Sequence, residues 1–139
     1  YILLNKLIGD KSEYENIILK SPAINMKEVF KNCLLKEPFT QYRKYRKAKS
    51  GHGGKIEVPY SFYEDLVKND LYSNYHEKRK ILIIQGSLDD TAPIKDTYKF
   101  IKDRPELELM EVRNMKHHME PDEIEIIEEK MIRKLNIDK

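Results

Sequence analysis

The sequence predicts an α/β fold built on a parallel sheet, and three short apolar segments support this prediction. They are NIILK at 16–20, ILIIQ at 81–85 and LELMEV at 107–112. The first two are nearly continuous apolar runs, as strands covered on both faces require, whereas the third alternates as a more exposed edge strand would. Helical patterns lie between and after them, and this order of elements implies crossover connections and a parallel sheet.

The first two helices are predicted from residues that commonly start a helix. Asn25 with Glu28 makes a weak capping pair before an apolar pattern. Ser61 with Glu64 makes a stronger capping box and follows a proline, so a helix is expected to begin at residue 61.

The last two helices are predicted from apolar residues at helical spacing. Residues 93–102 carry Ile94, Tyr98 and Ile101. Residues 122–135 carry a longer stripe made of Ile124, Ile127, Met131 and Leu135. Each stripe is expected to face the sheet, because one apolar face is what a surface helix buries.

Residues 36–60, KEPFTQYRKYRKAKSGHGGKIEVPY, interrupt this order of strands and helices. The segment has no clear period and holds three of the five glycines. It is long for a connection in a compact domain, where about 12 to 15 unstructured residues are already unusual. We therefore expect residues 25–60 to form a lid inserted in a single domain of residues 1–139.

Composition narrows the class of protein. Charged residues make up 36% of the chain, but the net charge is only +2. The overall charge therefore does not indicate binding to nucleic acid or to a membrane surface. The single cysteine, Cys33, excludes an internal disulfide and suits a reducing compartment, so we expect a cytoplasmic protein. No window approaches the roughly 20 apolar residues that span a bilayer.

Two polar loops follow neighbouring predicted strands. GSLDDTAP follows the second strand and RNMKHHMEP follows the third. Because parallel strands gather these loops at one edge of the sheet, about 5 Å apart, Asp89 or Asp90 is expected to meet His117 or His118. Such a pair fixes a histidine tautomer and stabilises imidazolium during acyl transfer. Taken alone, however, an aspartate in this kind of turn is more often a helix cap.

The two loops together resemble α/β-hydrolases. GSLDDTAP resembles the G-x-x-D-x-x-x-P signature after the seventh strand of that family, and NMKH resembles the loop that bears the catalytic histidine. Matched residue by residue, the resemblance places the triad acid on Asp89 and the base on His117. IILKSPAIN at 17–25 resembles the sixth strand, and the lid of the family follows it. The resemblance implies the C-terminal part of an α/β-hydrolase fold, with three parallel strands, flanking helices and a lid.

The nucleophile is missing from this pattern. No G-x-S-x-G occurs in the 139 residues, and Tyr1 to Gly9 resembles the end of the helix behind the nucleophile. The resemblance therefore implies that the serine and the oxyanion hole lie upstream of Tyr1, in the N-terminal half of the same fold. The chain alone is expected to be inactive, and to self-associate through an unpaired strand edge at 16–20.

The function implied by the resemblance is that of a serine hydrolase acting on carboxylic esters or related acyl bonds of a small molecule, without a cofactor. Phe30, Phe39 and Tyr42 in the predicted lid are expected to contact the acyl substrate. Thioesterase, peptidase and acyltransferase activities stay open, because pocket shape decides among them. The alternative is a non-catalytic α/β module that binds an anionic partner through the basic residues of 42–55, although such charge runs are usually solvated.

Three further features carry less weight. Ser21 and Ser87 stand at strand ends but lack the tight elbow that exposes a nucleophile. GHGG at 51–54 resembles the oxyanion motif of lipases, but it follows rather than precedes the expected nucleophile, and a turn is the simpler interpretation. No metal site is predicted, because the adjacent His117 and His118 point apart and a third ligand is not evident.

Overall fold

The computed structural model describes residues 17–35, 38–45, 47–49, 57–76, 78–118 and 120–135. The described residues of Ala23–Glu77 form one compact unit, here named the helical unit. Those of Ser12–Pro22 and Lys78–Lys139 form a second, here named the sheet unit. The predictions made for residues 1–9 and 51–54 lie outside the described residues.

The described strands and helices are named in chain order. They are β1 (Ile17–Lys20), α1 (Met26–Val29), a π-helical turn (Phe30–Leu34), α2 (Phe39–Tyr45), β2 (Lys47–Lys49), β3 (Glu57–Pro59), α3 (Tyr60–Lys68), α4 (Leu71–Asn74), β4 (Ile81–Gly86), α5 (Ile94–Ile101), β5 (Leu107–Val112) and α6 (Pro121–Leu135). The three predicted core strands correspond to β1, β4 and β5.

The sheet unit is built on these three strands, which are parallel and lie in the order β1-β4-β5. Ile81 of β4 pairs with Ile17 on one side and with Leu107 on the other. All six residues of β4 are buried, which explains its continuous apolar run. The exposed residues of β5 are Glu108 and Glu111, as expected of an outer strand. The prediction of a parallel three-stranded sheet is confirmed.

Helices cover both faces of β4. Leu82 and Ile84 pack with Ile127 of α6 on one face. Successive strand residues point to opposite faces, so the next residue, Gln85, points to the other face, where its side chain bonds Thr97 of α5. The sheet is therefore enclosed between α5 and α6, which fixes the position of the loops at its edge.

Helix α5 buries a different face from the predicted one. Thr97 and Phe100 are its buried residues, whereas Tyr98 is 48% exposed and its hydroxyl donates a hydrogen bond to Glu111. The prediction of a buried stripe through Tyr98 is wrong, because Thr97 takes the buried position and its hydroxyl has a partner, Gln85, inside the sheet unit. A satisfied hydroxyl can be buried at little cost.

Neither predicted capping pair caps its helix. Asn25 precedes α1, but its side chain does not bond the first turn. Helix α3 begins at Tyr60 after an extended Pro59, so Ser61 lies inside the first turn instead of before it. The proline sets the start of this helix, because its fixed φ and missing N–H suit the entry to a helix.

The helical unit has an aromatic core of its own. Phe30, Tyr42 and Leu66 are buried together, and the rings of Phe30 and Tyr42 lie 5.4 Å apart, edge to face. The hydroxyl of Tyr42 donates a 2.8 Å hydrogen bond to the carbonyl oxygen of Pro59. Lys27 pairs with Asp70 at 3.1 Å. The described part of residues 36–60, which shows no period in the sequence, thus contributes α2 and the antiparallel strands β2 and β3 to a packed unit.

Tyr42 gives the helical unit a pH dependence. Burial raises the pKa of Tyr42 above its ordinary value of 10.0, so this residue stabilises the fold fully below pH 10 and less as the pH rises through its folded pKa. We expect Tyr42→Phe to lower the unfolding free energy by about 1 kcal/mol at pH 7, from the lost hydrogen bond. Urea denaturation of both proteins from pH 8 to 11 should show this difference shrinking at high pH. A difference that does not change with pH would contradict the assignment.

Candidate active site

Two loops at one edge of the sheet unit are joined by backbone hydrogen bonds. The N–H of Ser87 donates to the carbonyl of Val112 at 3.0 Å, and the N–H of Leu88 donates to the carbonyl of Met115 at 2.9 Å. The N–H of Asn114 donates to the hydroxyl of Ser87 at 2.8 Å. These bonds connect the loop after β4 directly to the loop after β5.

Gly86 allows this close approach. A Cβ at position 86 would lie 2.1 Å from the carbonyl oxygen and 2.5 Å from the carbonyl carbon of Met115. No side chain can occupy that space, because backbone atoms cannot move aside as a flexible side chain can. On the facing loop, Asn114 has a φ of 63°, a left-handed conformation that asparagine tolerates better than most residues. Both turns therefore use the residue types that their backbone requires.

The joined loops bring Asp89 and His117 together. His117 Nδ1 lies 3.0 Å from Oδ2 and 3.1 Å from Oδ1 of Asp89. The carboxylate of Asp89 is fully buried, and the imidazole is 26% exposed. A carboxylate can only accept here, so Nδ1 carries the proton that is donated to it. In the neutral form of the ring, the free lone pair is on Nε2, which makes that nitrogen the proton acceptor.

The carboxylate of Asp89 also holds the start of the next turn. Its Oδ1 accepts the backbone N–H of Thr91 at 3.1 Å and that of Ala92 at 2.8 Å. From the sequence alone, Asp89 could either cap the next turn or pair with a histidine. In the structure, its carboxylate does both. These donors fix the carboxylate in place, so its contact with His117 does not depend on a mobile side chain.

Gln85 is a site residue that the sequence interpretation missed. Its side chain is fully buried, its Oε1 accepts the Thr97 hydroxyl at 2.5 Å, and its Nε2 donates to the Ala92 carbonyl. The same Nε2 lies 3.4 Å from Oδ2 of Asp89. A glutamine that ends an otherwise apolar strand is the signal that could have identified it, because a buried amide needs partners.

The neighbouring residues are placed differently. Asp90 and His118 are exposed, in contrast to Asp89 and to the partly buried His117. The two imidazole rings lie 5.3 Å apart, edge to face. Asp90 accepts a long 3.4 Å bond from the hydroxyl of Thr91. Of the four residues expected to meet, the structure brings Asp89 and His117 into hydrogen-bond contact.

The two serines considered as local nucleophiles are engaged or buried. The Ser87 hydroxyl accepts the N–H of Asn114. Ser21, at the end of β1, is 8% exposed and has a left-handed φ of 44°. Its N–H donates to the carbonyl of Ile84 at 2.8 Å, but its hydroxyl has no hydrogen-bond partner among the described residues. Ser21 is thus too buried to attack a substrate, and the hydroxyl of the half-buried Ser87 is held by the loop after β5.

The residues expected to contact substrate belong to the helical unit. Phe30 and Tyr42 are almost completely buried in its core. Phe39 is half-buried, with its ring 4.7 Å from that of Tyr63. Phe30 also lines an open cavity of the same unit.

The basic segment at 42–55 lies only partly within the described residues. Arg43 and Lys44 of α2 are exposed. Most of the other basic side chains of the segment lie outside the described part of the chain, so binding of an anionic partner there stays a prediction.

A metal site and a membrane-spanning helix are both absent from the described part of the chain. Within those ranges, no group of three or more histidine, cysteine, aspartate or glutamate side chains is placed to hold a metal ion. The helices that the structure describes include none with both the length and the apolar character needed to cross a bilayer.

Comparison with known proteins relates the fold to hydrolases. No protein-family profile and no curated protein sequence matches the chain. α/β-Hydrolase domain-containing protein 10 from mouse superposes with a TM-score of 0.68 at 16% identity, over 97% of this chain and 58% of its own. Est1E from Butyrivibrio proteoclasticus gives 0.67 at 17% identity, over 97% and 57%. The monoacylglycerol lipase of Paleococcus ferrophilus gives 0.55 at 11% identity, over 96% and 63%.

The extent of these superpositions shows that the chain corresponds to part of the neighbours' fold. The chain is covered almost completely, yet it spans only 57% of Est1E and 58% of the mouse protein. Identities of 16% and 17% establish a shared fold. The parallel sheet, its flanking helices and the two joined loops agree with this placement. The structure has the α/β-hydrolase fold, of which this chain forms the C-terminal part.

Proposed function

We propose that this chain carries the acid and the base of a serine hydrolase that acts on carboxylic esters or related acyl bonds. One observation supports the proposal most strongly: His117 Nδ1 lies 3.0 Å from the fully buried carboxylate of Asp89. A histidine held in this tautomer by a buried carboxylate is the arrangement that activates a serine hydroxyl in acyl transfer.

The proposed mechanism assigns one role to each residue. A serine from outside these 139 residues attacks the substrate carbonyl, while His117 Nε2 accepts the hydroxyl proton and later returns it to the leaving group. Asp89 holds the ring and stabilises the imidazolium that forms between these steps. Without the serine the pair has no nucleophile to activate, so the chain alone should be inactive.

The substrate class is proposed from the neighbours and from the aromatic residues. One structural neighbour is a monoacylglycerol lipase, and a structure of Est1E contains bound ferulic acid. Of the three aromatic residues expected to contact the acyl group, Phe39 is half-buried and stays the proposed contact, whereas Phe30 and Tyr42 lie in the core of the helical unit. Esters of aromatic or aliphatic acids are therefore the first substrates to test, ahead of thioesters and peptides.

The N-terminal half of the same fold is the proposed partner. Strand β1 pairs with β4 on one side, and no strand within the described ranges pairs with its other edge. An open edge of this kind is a template for a further strand. Self-association of the isolated chain and a cytoplasmic location stay predictions.

An active-site phosphonate probe tests the proposal directly. We expect a fluorophosphonate to label the full-length protein on a serine upstream of Tyr1 and to leave the isolated chain unlabelled. His117→Asn should slow labelling of the full-length protein at least 100-fold, within the roughly 10²- to 10⁴-fold contribution of a general base. His118→Asn is the matched control and should change the rate little. Equal labelling of both variants would rule out the assigned base.

A further inference from the structure

Gln85 lies near the carboxyl end of β4, and its side chain is fully buried. The orientation of its amide follows from the partners of the amide. The carbonyl oxygen of Ala92 can only accept a hydrogen bond, so it faces Nε2, and Oε1 then accepts the hydroxyl of Thr97 at 2.5 Å. Thr97 belongs to α5 and is itself buried. The amide is therefore held between a helix and the turn that follows β4.

The amide nitrogen of Gln85 has a second hydrogen that can reach Asp89. A primary amide carries two N–H groups, and the carbonyl of Ala92 takes one of them. Nε2 also lies 3.4 Å from Oδ2 of Asp89, at the distance of a long hydrogen bond. Oδ2 is the carboxylate oxygen that lies 3.0 Å from Nδ1 of His117. The amide and the imidazole therefore share one carboxylate oxygen.

Both oxygens of Asp89 thus have a partner besides His117. Oδ1 accepts the backbone N–H groups of Thr91 and Ala92, and Oδ2 faces the amide of Gln85. The torsion that turns an aspartate carboxylate is soft, so the side chain alone does not fix the direction of its oxygens. Donors on both oxygens restrict that torsion, which keeps Oδ2 directed at the imidazole.

We propose that Gln85 and Thr97 are positioning residues for the pair formed by Asp89 and His117. Thr97 fixes the amide of Gln85, and that amide fixes the oxygen of Asp89 that accepts the imidazole proton. The two side chains are 0% and 1% exposed, so they act through Asp89 and do not touch substrate. The inference rests on the proposed function, because it concerns the geometry in which the pair transfers a proton.

Gln85→Met in the full-length protein provides the first test. Methionine is unbranched and of similar length, but it cannot donate to Asp89 or to Ala92. We expect kcat against an aryl ester to fall about tenfold, less than the roughly 100-fold that a 1 Å misplacement can cost, because the donors on Oδ1 remain. KM should change little, because no contact with substrate is removed. The proton on His117 Nδ1 should shift upfield in the NMR spectrum as its hydrogen bond to Asp89 weakens.

Substitutions at Thr97 provide a second test that leaves Gln85 in place, and it applies even if Gln85→Met does not fold. Thr97→Val removes the hydroxyl that holds the amide, so it should cause a smaller loss of kcat and the same upfield shift. Thr97→Ser retains a hydroxyl and should retain both kcat and the proton shift. Tyr98→Phe is the matched control on the same helix, because Tyr98 is exposed and bonds Glu111 instead. It should leave both measurements unchanged.

The double variant, Gln85→Met with Thr97→Val, separates positioning from stability. Gln85→Met alone leaves the buried hydroxyl of Thr97 without this partner, which lowers the free energy of unfolding. Removing the hydroxyl as well should recover part of the free energy of unfolding in urea, since replacing both partners by apolar groups can be nearly neutral. We expect kcat to stay low in the double variant, because the donor to Asp89 is still missing.

Any of the following results would overturn the inference: an unchanged kcat in Gln85→Met, a change in KM alone, an unshifted Nδ1 proton, or a kcat that returns with the free energy of unfolding in the double variant. The NMR measurement needs no nucleophile, so it tests the geometry even if the phosphonate labels no serine. In that case the proposed function fails while the positioning of Asp89 by Gln85 stands. Full labelling together with an unchanged kcat in Gln85→Met would be the opposite outcome.

Discussion

Asp89→Asn is expected to lower kcat of the full-length protein by about 10⁴-fold, the loss produced by the same change in a serine protease triad. The asparagine oxygen can still accept the N–H groups of Thr91 and Ala92, so the turn should persist. Its NH₂ group, however, faces His117 and favours the tautomer in which Nε2 carries the proton. The histidine can then no longer accept a proton from the serine.

Asp90→Asn is the matched control for this measurement. Asp90 is the next residue, has the same charge and is exposed. We expect the kcat of this variant against an aryl ester to stay within about threefold of that of the unmodified protein, because an exposed charge makes only weak interactions. Comparable losses in the two variants, with both proteins folded by circular dichroism, would contradict the role of Asp89.

Gly86→Ala is expected to destabilise the sheet unit by about 3 kcal/mol or more, at the upper end for overpacking. The added methyl group would lie 2.1 Å from the Met115 carbonyl oxygen, so the loop after β5 must move away. That movement should also separate Asp89 from His117. The free energy of unfolding in urea and the chemical shifts of the His117 ring would report the two effects.

Ser87→Ala provides the comparison for Gly86→Ala. It removes the hydroxyl that accepts the N–H of Asn114 but adds no atom between the loops. The expected cost is about 1 kcal/mol, the usual value of one hydrogen bond. If Gly86→Ala lowered the free energy of unfolding no more than Ser87→Ala, the close approach of the two loops would not explain why position 86 is a glycine.

The strands and the paired loops could be predicted from the sequence because their signals are local. A continuous apolar run identifies β4, and polar loops that follow adjacent parallel strands meet at one edge by geometry. This reasoning narrowed the site to four residues. These local signals did not choose among the four residues, whereas the resemblance to α/β-hydrolases matched Asp89 and His117. The burial of Asp89 and the exposure of Asp90 depend on a turn whose bonds form only in the folded protein.

The helical unit could not be predicted in the same way. Its core depends on contacts between residues distant in sequence, such as the hydrogen bond from Tyr42 to Pro59, 17 residues away. The sequence of residues 36–60 has no apolar period that would indicate α2 or the antiparallel pairing of β2 with β3. The buried face of α5 was missed for a related reason, since Thr97 is buried through its bond to Gln85.

The bonds between the two loops also bear on regulation. Main-chain bonds at Val112 and Met115 join the two loops, so in the unmodified protein a movement that separates the loops must break these bonds. The amide protons of Ser87 and Leu88, which donate these bonds, should then exchange at rates set by sub-global opening of the sheet rather than by loop fluctuation. In the proposed hydrolase, the acid and the base would therefore stay assembled, and any control of activity would act on the approach of substrate or on the serine.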